Sequence, residues 1–151
     1  MKLGEALSER ARLQRRISEL RTRINSNTHV RKGEEVAENA NDLIQEVVHT
    51  TRSLEILIVR INMANTRTLV DERPLTEWLA VRDTMASLVA TYSGAADSAQ
   101  ERDRRDFFGR GETSVELVVD VPDLRAKADE MLEEMRRIDN KIQAANWMTE
   151  I

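Results

Sequence analysis

An apolar seam in the last third of the chain most constrains its fold. Val121, Leu124, Ala128, Met131, Met135, Ile138, Ile142 and Ala145 recur at alternating spacings of three and four. That spacing keeps one stripe of a helix facing other helices over about seven turns at ~3.6 residues each. A second seam, Leu3, Ala6, Arg10, Leu13, Ile17, Leu20 and Ile24, predicts a helix over 2–24. A third runs through Ile44, Val47, Thr51, Leu54, Ile58, Ile61 and Asn65, and predicts a helix over 41–65. A fourth, Leu75, Trp78, Arg82, Met85, Val89, Tyr92, Ala96 and Ala99, predicts a helix over 75–104.

The expected architecture is therefore mainly α: an antiparallel four-helix bundle with long helices, forming a single domain over 1–151. A small β element is expected at one end. Val115, Leu117 and Val119 alternate as in a short strand, which could pair with an extended piece near Thr28 to Lys32. Asn39 or Asn41 suits the cap of the second helix, and Asp120 that of the fourth, with Pro122 in its first turn. Pro74 suits the first turn of the third.

Composition narrows the function classes. Aromatic residues make up only 3% of the chain, and the apolar share is mostly aliphatic, which suits helix packing better than a sheet sandwich. With no cysteine, thiolate nucleophiles, disulfides and Cys-type zinc sites are excluded. The first 24 residues are charged throughout, unlike a secretory signal. The most apolar run, Leu54 to Ala64, is short and carries Arg60. No membrane association and a cytoplasmic location are the expectations.

Charge is uneven within a net −4: residues 1–32 carry nine basic side chains against Glu5, Glu9 and Glu19, and residues 112–151 carry ten acidic against five basic. A nucleic-acid binder of this overall acidity would need a cleaner basic face. The expectation is instead a basic first helix beside acidic elements of the same fold or of a neighbouring copy. Apolar residues outside the seams, such as Leu57, Leu88 and Leu132, add surface that a partner copy could cover, so a homo-oligomer is expected.

No catalytic motif emerges. Glu46-Val47-Val48-His49 has the spacing of di-iron bundles, but such a site needs a second copy of the motif and two more carboxylates. Glu130 and Glu133 lack the Glu-x-x-Asp partner that magnesium-dependent pyrophosphate chemistry uses. Phosphate loops and nucleophile elbows are missing, and no metal or cofactor is implied. Arg102 to Arg110 with Phe107 and Phe108 reads as a solvated loop held by two aromatics, its arginines interspersed with Asp103 and Asp106.

The breaks in the seams are the sharper chemical signal. Arg10 and Arg82 interrupt two apolar stripes at ~10–12 Å from the helix ends that gather the termini. Guanidiniums facing a core require compensation. Asp139 is the expected carboxylate, with Asn65 and Asn146 crowding the same end. Together these five are the candidate ligand-binding residues: an ion-pair cluster first, a pocket for a small anionic ligand second.

Several stretches also match a known family in order: Met1-Lys-Leu-Gly-Glu-Ala-Leu with Arg10-Ala11, Val30-Arg-Lys-Gly-Glu-Glu, Ile61-Asn-Met-Ala-Asn-Thr66, Leu75-Thr-Glu-Trp-Leu-Ala with Arg82-Asp83, Asp120-Val121 and Ile142-Gln-Ala-Ala-Asn-Trp147. On these the chain resembles the septicolysin-like family of small bacterial proteins. The resemblance implies the helical fold and no assigned activity. Pore formation, which the family's name evokes, does not fit a chain with no thiol and no span.

Overall fold

The computed structural model describes residues 1–108 and 116–151, with the backbone alone for 102–108. It is mainly α. Four helices, α1 (Leu3–Ser26), α2 (Ala40–Arg67), α3 (Leu75–Phe108) and α4 (Val121–Met148), are accompanied by a two-stranded hairpin, β1 (Leu69–Val70) and β2 (Arg73–Pro74). No helix among the described residues is long and apolar enough to cross a membrane.

Helix starts follow local chemistry. The Lys2 backbone N–H donates to Glu5 Oε2 at 2.7 Å, which opens α1. Asn39 Oδ1 accepts from the Asn41 N–H at 2.9 Å and caps α2. Asp120 Oδ1 accepts from the Asp123 N–H at 3.0 Å and caps α4. Each oxygen satisfies one of the N–H groups that a helix start leaves free.

The contacts divide the chain into two compact units, 1–69 with 143–151, and 70–142. In the first, α1 and α2 form an antiparallel pair, as the ion pairs Arg16–Glu46 and Arg23–Glu38 require. Leu3, Ala6, Leu13, Ile17 and Leu20 of α1 are buried, along with Leu43, Thr50, Leu57, Ile61 and Ala64 of α2. The chain ends join this unit through an antiparallel bridge between Lys2 and Glu150. There the Leu3 N–H donates to Thr149 O and the Ile151 N–H to Met1 O, both at 2.9 Å.

In the second unit α3 and α4 also run antiparallel, linked by Arg82–Asp139 near one end and Arg125–Asp97 near the other. Leu75, Ala96, Ala128, Ile138 and Ile142 are its buried apolar residues. Every position of the α4 seam is buried or half-buried, as its spacing predicts.

Several expectations change. α3 runs on to Phe108, so 102–108 are helical rather than a solvated loop, and 109–110 lie outside the described residues. The buried stripe of α2 is rotated from the predicted one: Ile44 and Thr51 are exposed, whereas Leu57, expected as a leftover, is core. Among the described residues the β element is not near 116–119. Residues 116–119 form no strand, 113–115 lie outside the described residues, and 28–32 are irregular. The hairpin lies instead at 69–74, and Pro74 closes its second strand immediately before α3. Its turn residues Asp71 and Glu72 have φ of 50° and 65°, the left-handed pair of a type I′ turn, whose twist matches that of the flanking strands.

Candidate functional site

The structure brings Arg82 and Asp139 together. Arg82 sits on α3 with its side chain about one-third exposed, and its guanidinium donates to Asp83 Oδ1 through Nε (3.0 Å) and Nη2 (2.7 Å). Asp139 on α4 is the longer partner, at 3.9 Å. The adjacent carboxylate is thus the main compensation, in a solvated setting rather than a sealed core. Of the other sequence-predicted residues, Arg10, Asn65 and Asn146 all belong to the first unit. Arg10 is half-buried and makes no ion pair or hydrogen bond among the described residues. Asn65 is half-buried and Asn146 is buried.

One turn of α3 before Arg82, Trp78 organises a cluster that its position in the seam did not reveal. Its Nε1–H donates to Val70 O at 2.8 Å, which ties the helix to the hairpin. Lys141 Nζ lies 4.6 Å from the ring centroid and Arg73 Cζ 5.7 Å. Cations this close to an indole face are attracted by its quadrupole. Lys141 also pairs with Asp71 Oδ2 at 2.8 Å, so the hairpin turn is fastened to α4.

An open groove of about 450 Å³ runs between α1 and α2, lined by Arg12, Arg16, Glu46, His49, Ser53 and Arg60 among others. Its carboxylates serve its own arginines. Arg16 donates to Glu46 Oε1 through Nε at 2.9 Å and Nη2 at 2.6 Å. Arg12, hydrogen-bonded to Glu9, holds that carboxyl below its ordinary value, and its own pKa rises in turn. Glu46 and His49 share the groove, but Glu46 is committed to Arg16. Among the described residues no three His, Asp or Glu side chains are grouped to hold a metal ion.

The basic character of α1 is partly neutralised inside its own unit, by carboxylates of α1, α2 and their connection. Besides Arg16, Arg23 forms a two-pronged pair with Glu38, one contact being Nε to Oε2 at 2.9 Å. That pairing lowers the Glu38 carboxyl and raises Arg23. Lys2 pairs with Glu150 at 3.0 Å and lowers that carboxyl.

The largest unsatisfied feature is apolar. On α2, Ile44, Val48, Val59 and Met63 are 39–52% exposed. At about 100° per residue they lie opposite the buried stripe of Leu43, Leu57, Ile61 and Ala64. The signal was present in the sequence as apolar residues on both sides of the chosen seam.

Fold and surface together define a mainly α, four-helix protein with ion pairs inside each unit and a second helix that is apolar on two faces. The chain belongs to the family of unknown function DUF6847, whose model matches residues 10–151. Over its whole length it is similar to a functionally unknown conserved protein from Corynebacterium diphtheriae seen in a crystal structure. The identity is 34%, the TM-score is 0.92, and 98% of that chain is covered. No match is found among curated proteins. The septicolysin-like affiliation is not among these findings.

Proposed function

We propose that the protein acts as a self-associating helical protein, with the outer face of α2 as the surface where copies meet. The observation that supports this is the pair of apolar stripes on one helix. A helix packed on one side needs one such stripe, and a helix apolar all round is normally covered on every side. Single exposed aliphatics are ordinary, but four along one helix face form a patch of the kind that marks an interaction surface. Leu57, by contrast, is spent on the core.

Sedimentation equilibrium in moderate salt tests the reading. The expected result is a mass above the 17.3 kDa of one chain, rising with concentration across tens of micromolar. A clean monomer over that range would reject it.

The second reading is a small anionic ligand at Arg10, whose guanidinium is half-buried and makes no ion pair among the described residues. Arg82, the other candidate, belongs to the second unit and is committed to Asp83. Thermal unfolding with added phosphate discriminates. Stabilisation that disappears in Arg10→Met supports the anion reading, and an unchanged midpoint removes it.

A further inference from the structure

The exposed face of α2 has an internal order that its apolar content alone does not require. Asn41, Ile44, Val48, Arg52, Glu55, Val59, Met63 and Thr66 are all exposed, and their spacings are 3, 4, 4, 3, 4, 4 and 3. At about 100° per residue they occupy one stripe roughly 100° wide, opposite the buried stripe. The stripe reads the same in chemistry from either end. From the outside inwards it runs polar (Asn41, Thr66), large apolar (Ile44, Met63), valine (Val48, Val59) and charged (Arg52, Glu55). The one pair that differs in sign is the central pair, where opposite signs are what a contact would need.

We infer that α2 packs antiparallel against α2 of a second copy of this chain, about a two-fold axis passing between Ser53 and Leu54. The inference rests on the self-association reading and specifies its register. In this register each Ile44 lies opposite a Met63, each Val48 opposite a Val59, and each Arg52 opposite a Glu55. Every pairing occurs twice, as an isologous interface requires.

A two-fold axis through Arg52 would oppose two guanidiniums, and one through Glu55 two carboxylates. The axis between them alone turns both charges into ion pairs. Within one copy neither Arg52 nor Glu55 forms an ion pair or hydrogen bond among the described residues. An unrelated partner would have no reason to match a stripe symmetric about its own centre. The apolar part of the stripe spans ~28 Å at ~1.5 Å per residue. A single helix pair of that length falls at the small end of specific interfaces, so dissociation in the micromolar range is expected.

Charge swaps and cross-linking test the register on the full chain. Arg52→Glu alone and Glu55→Arg alone each place like charges opposite one another twice per dimer. Each should weaken dimerisation by about tenfold or more in sedimentation equilibrium. The double variant Arg52→Glu with Glu55→Arg should return to within about threefold of wild type.

The chain has no cysteine, so cross-links report cleanly. Val48→Cys mixed with Val59→Cys under mild oxidation should give a mixed disulfide dimer. Neither variant alone should do so, because each Val48 lies ~16 Å along the axis from its own copy at 11 residues × 1.5 Å. All four positions are exposed, and circular dichroism checks that the variants fold.

Two failures are distinguishable. A wild-type monomer at 100 µM, on the order of ten times the expected dissociation constant, would overturn self-association and the register with it. A dimer indifferent to the single charge swaps, or cross-linked by Val48→Cys alone, would overturn the register and leave self-association standing.

Discussion

Glu72 carries a local cost that the rest of the hairpin bears. Its φ of 65° is a left-handed conformation that costs an ordinary L-residue about 1–2 kcal/mol, whereas Asp71 beside it has the short polar side chain that tolerates the region better. The turn holds because its surroundings fix it. Trp78 bonds to Val70 O, and Lys141 pairs with Asp71 while lying over the Trp78 ring. A type I′ turn favours glycine at the second central position. Glu72→Gly should therefore stabilise the fold by about 0.5–1 kcal/mol, read as a higher midpoint in urea. A loss of stability would mean that Glu72 contributes a contact outweighing its backbone strain.

Among the elements, the connection between α1 and α2 is held by few contacts, and these depend on one carboxylate. Asn27 Oδ1 accepts from the Glu38 N–H at 3.2 Å, and Arg23 grips the Glu38 side chain from α1. Because the folded pKa of Glu38 is depressed from its ordinary 4.5, the stabilisation is complete above that value. It is lost as pH falls through the lower folded pKa. Glu9 and Glu150 are depressed as well and act in the same direction, each weakly because the group is exposed. The thermal midpoint should hold from pH 7 to about 5 and fall below about 4.5. Glu38→Gln should lower the midpoint at neutral pH and make that fall shallower. An equal fall in both proteins would show that the Arg23–Glu38 pair contributes nothing to acid sensitivity.

The legibility of each helix in the sequence depended on how one-sided it is. α1 and α4 carry single stripes, so spacing alone found their buried faces. α2 has apolar residues all round, and spacing could not say which stripe faces inwards; the choice fell about one residue off. The hairpin at 69–74 was missed because Asp71-Glu72 lacks the glycine or asparagine that announces a left-handed turn. The short alternation at 115–119 carried too little information to define a strand. Of the candidate site, the Arg82–Asp139 pairing followed from a charge interrupting a seam. The closer role of Asp83 and the cation contacts on Trp78 depend on side-chain placement that no spacing encodes.

At the scale of the whole chain, the first and last residues belong to one unit, and this closure yields the final prediction. Leu3 is fully buried, and its backbone N–H, one of the donors a helix start leaves free, is satisfied by Thr149 O. Ile151 returns a bond to Met1, and Thr68 at the end of α2 donates its hydroxyl to Thr149 Oγ1 at 3.3 Å. Gly4 lets the ends close up, since a Cβ there would stand 3.3 Å from the Trp147 ring. Deleting Thr149, Glu150 and Ile151 removes these acceptors and donors together and leaves the Leu3 N–H without its protein partner. The cost should be about 1–3 kcal/mol, or roughly 2–10 °C in thermal midpoint for a chain of this size. Glu150→Gln, which removes only the exposed ion pair with Lys2, should leave the midpoint at pH 7 nearly unchanged. A large effect of the single substitution with little more from the deletion would place the closure in the charge pair. The backbone bonds carry it if the deletion alone is costly, because Glu150→Gln leaves them intact and the deletion removes them.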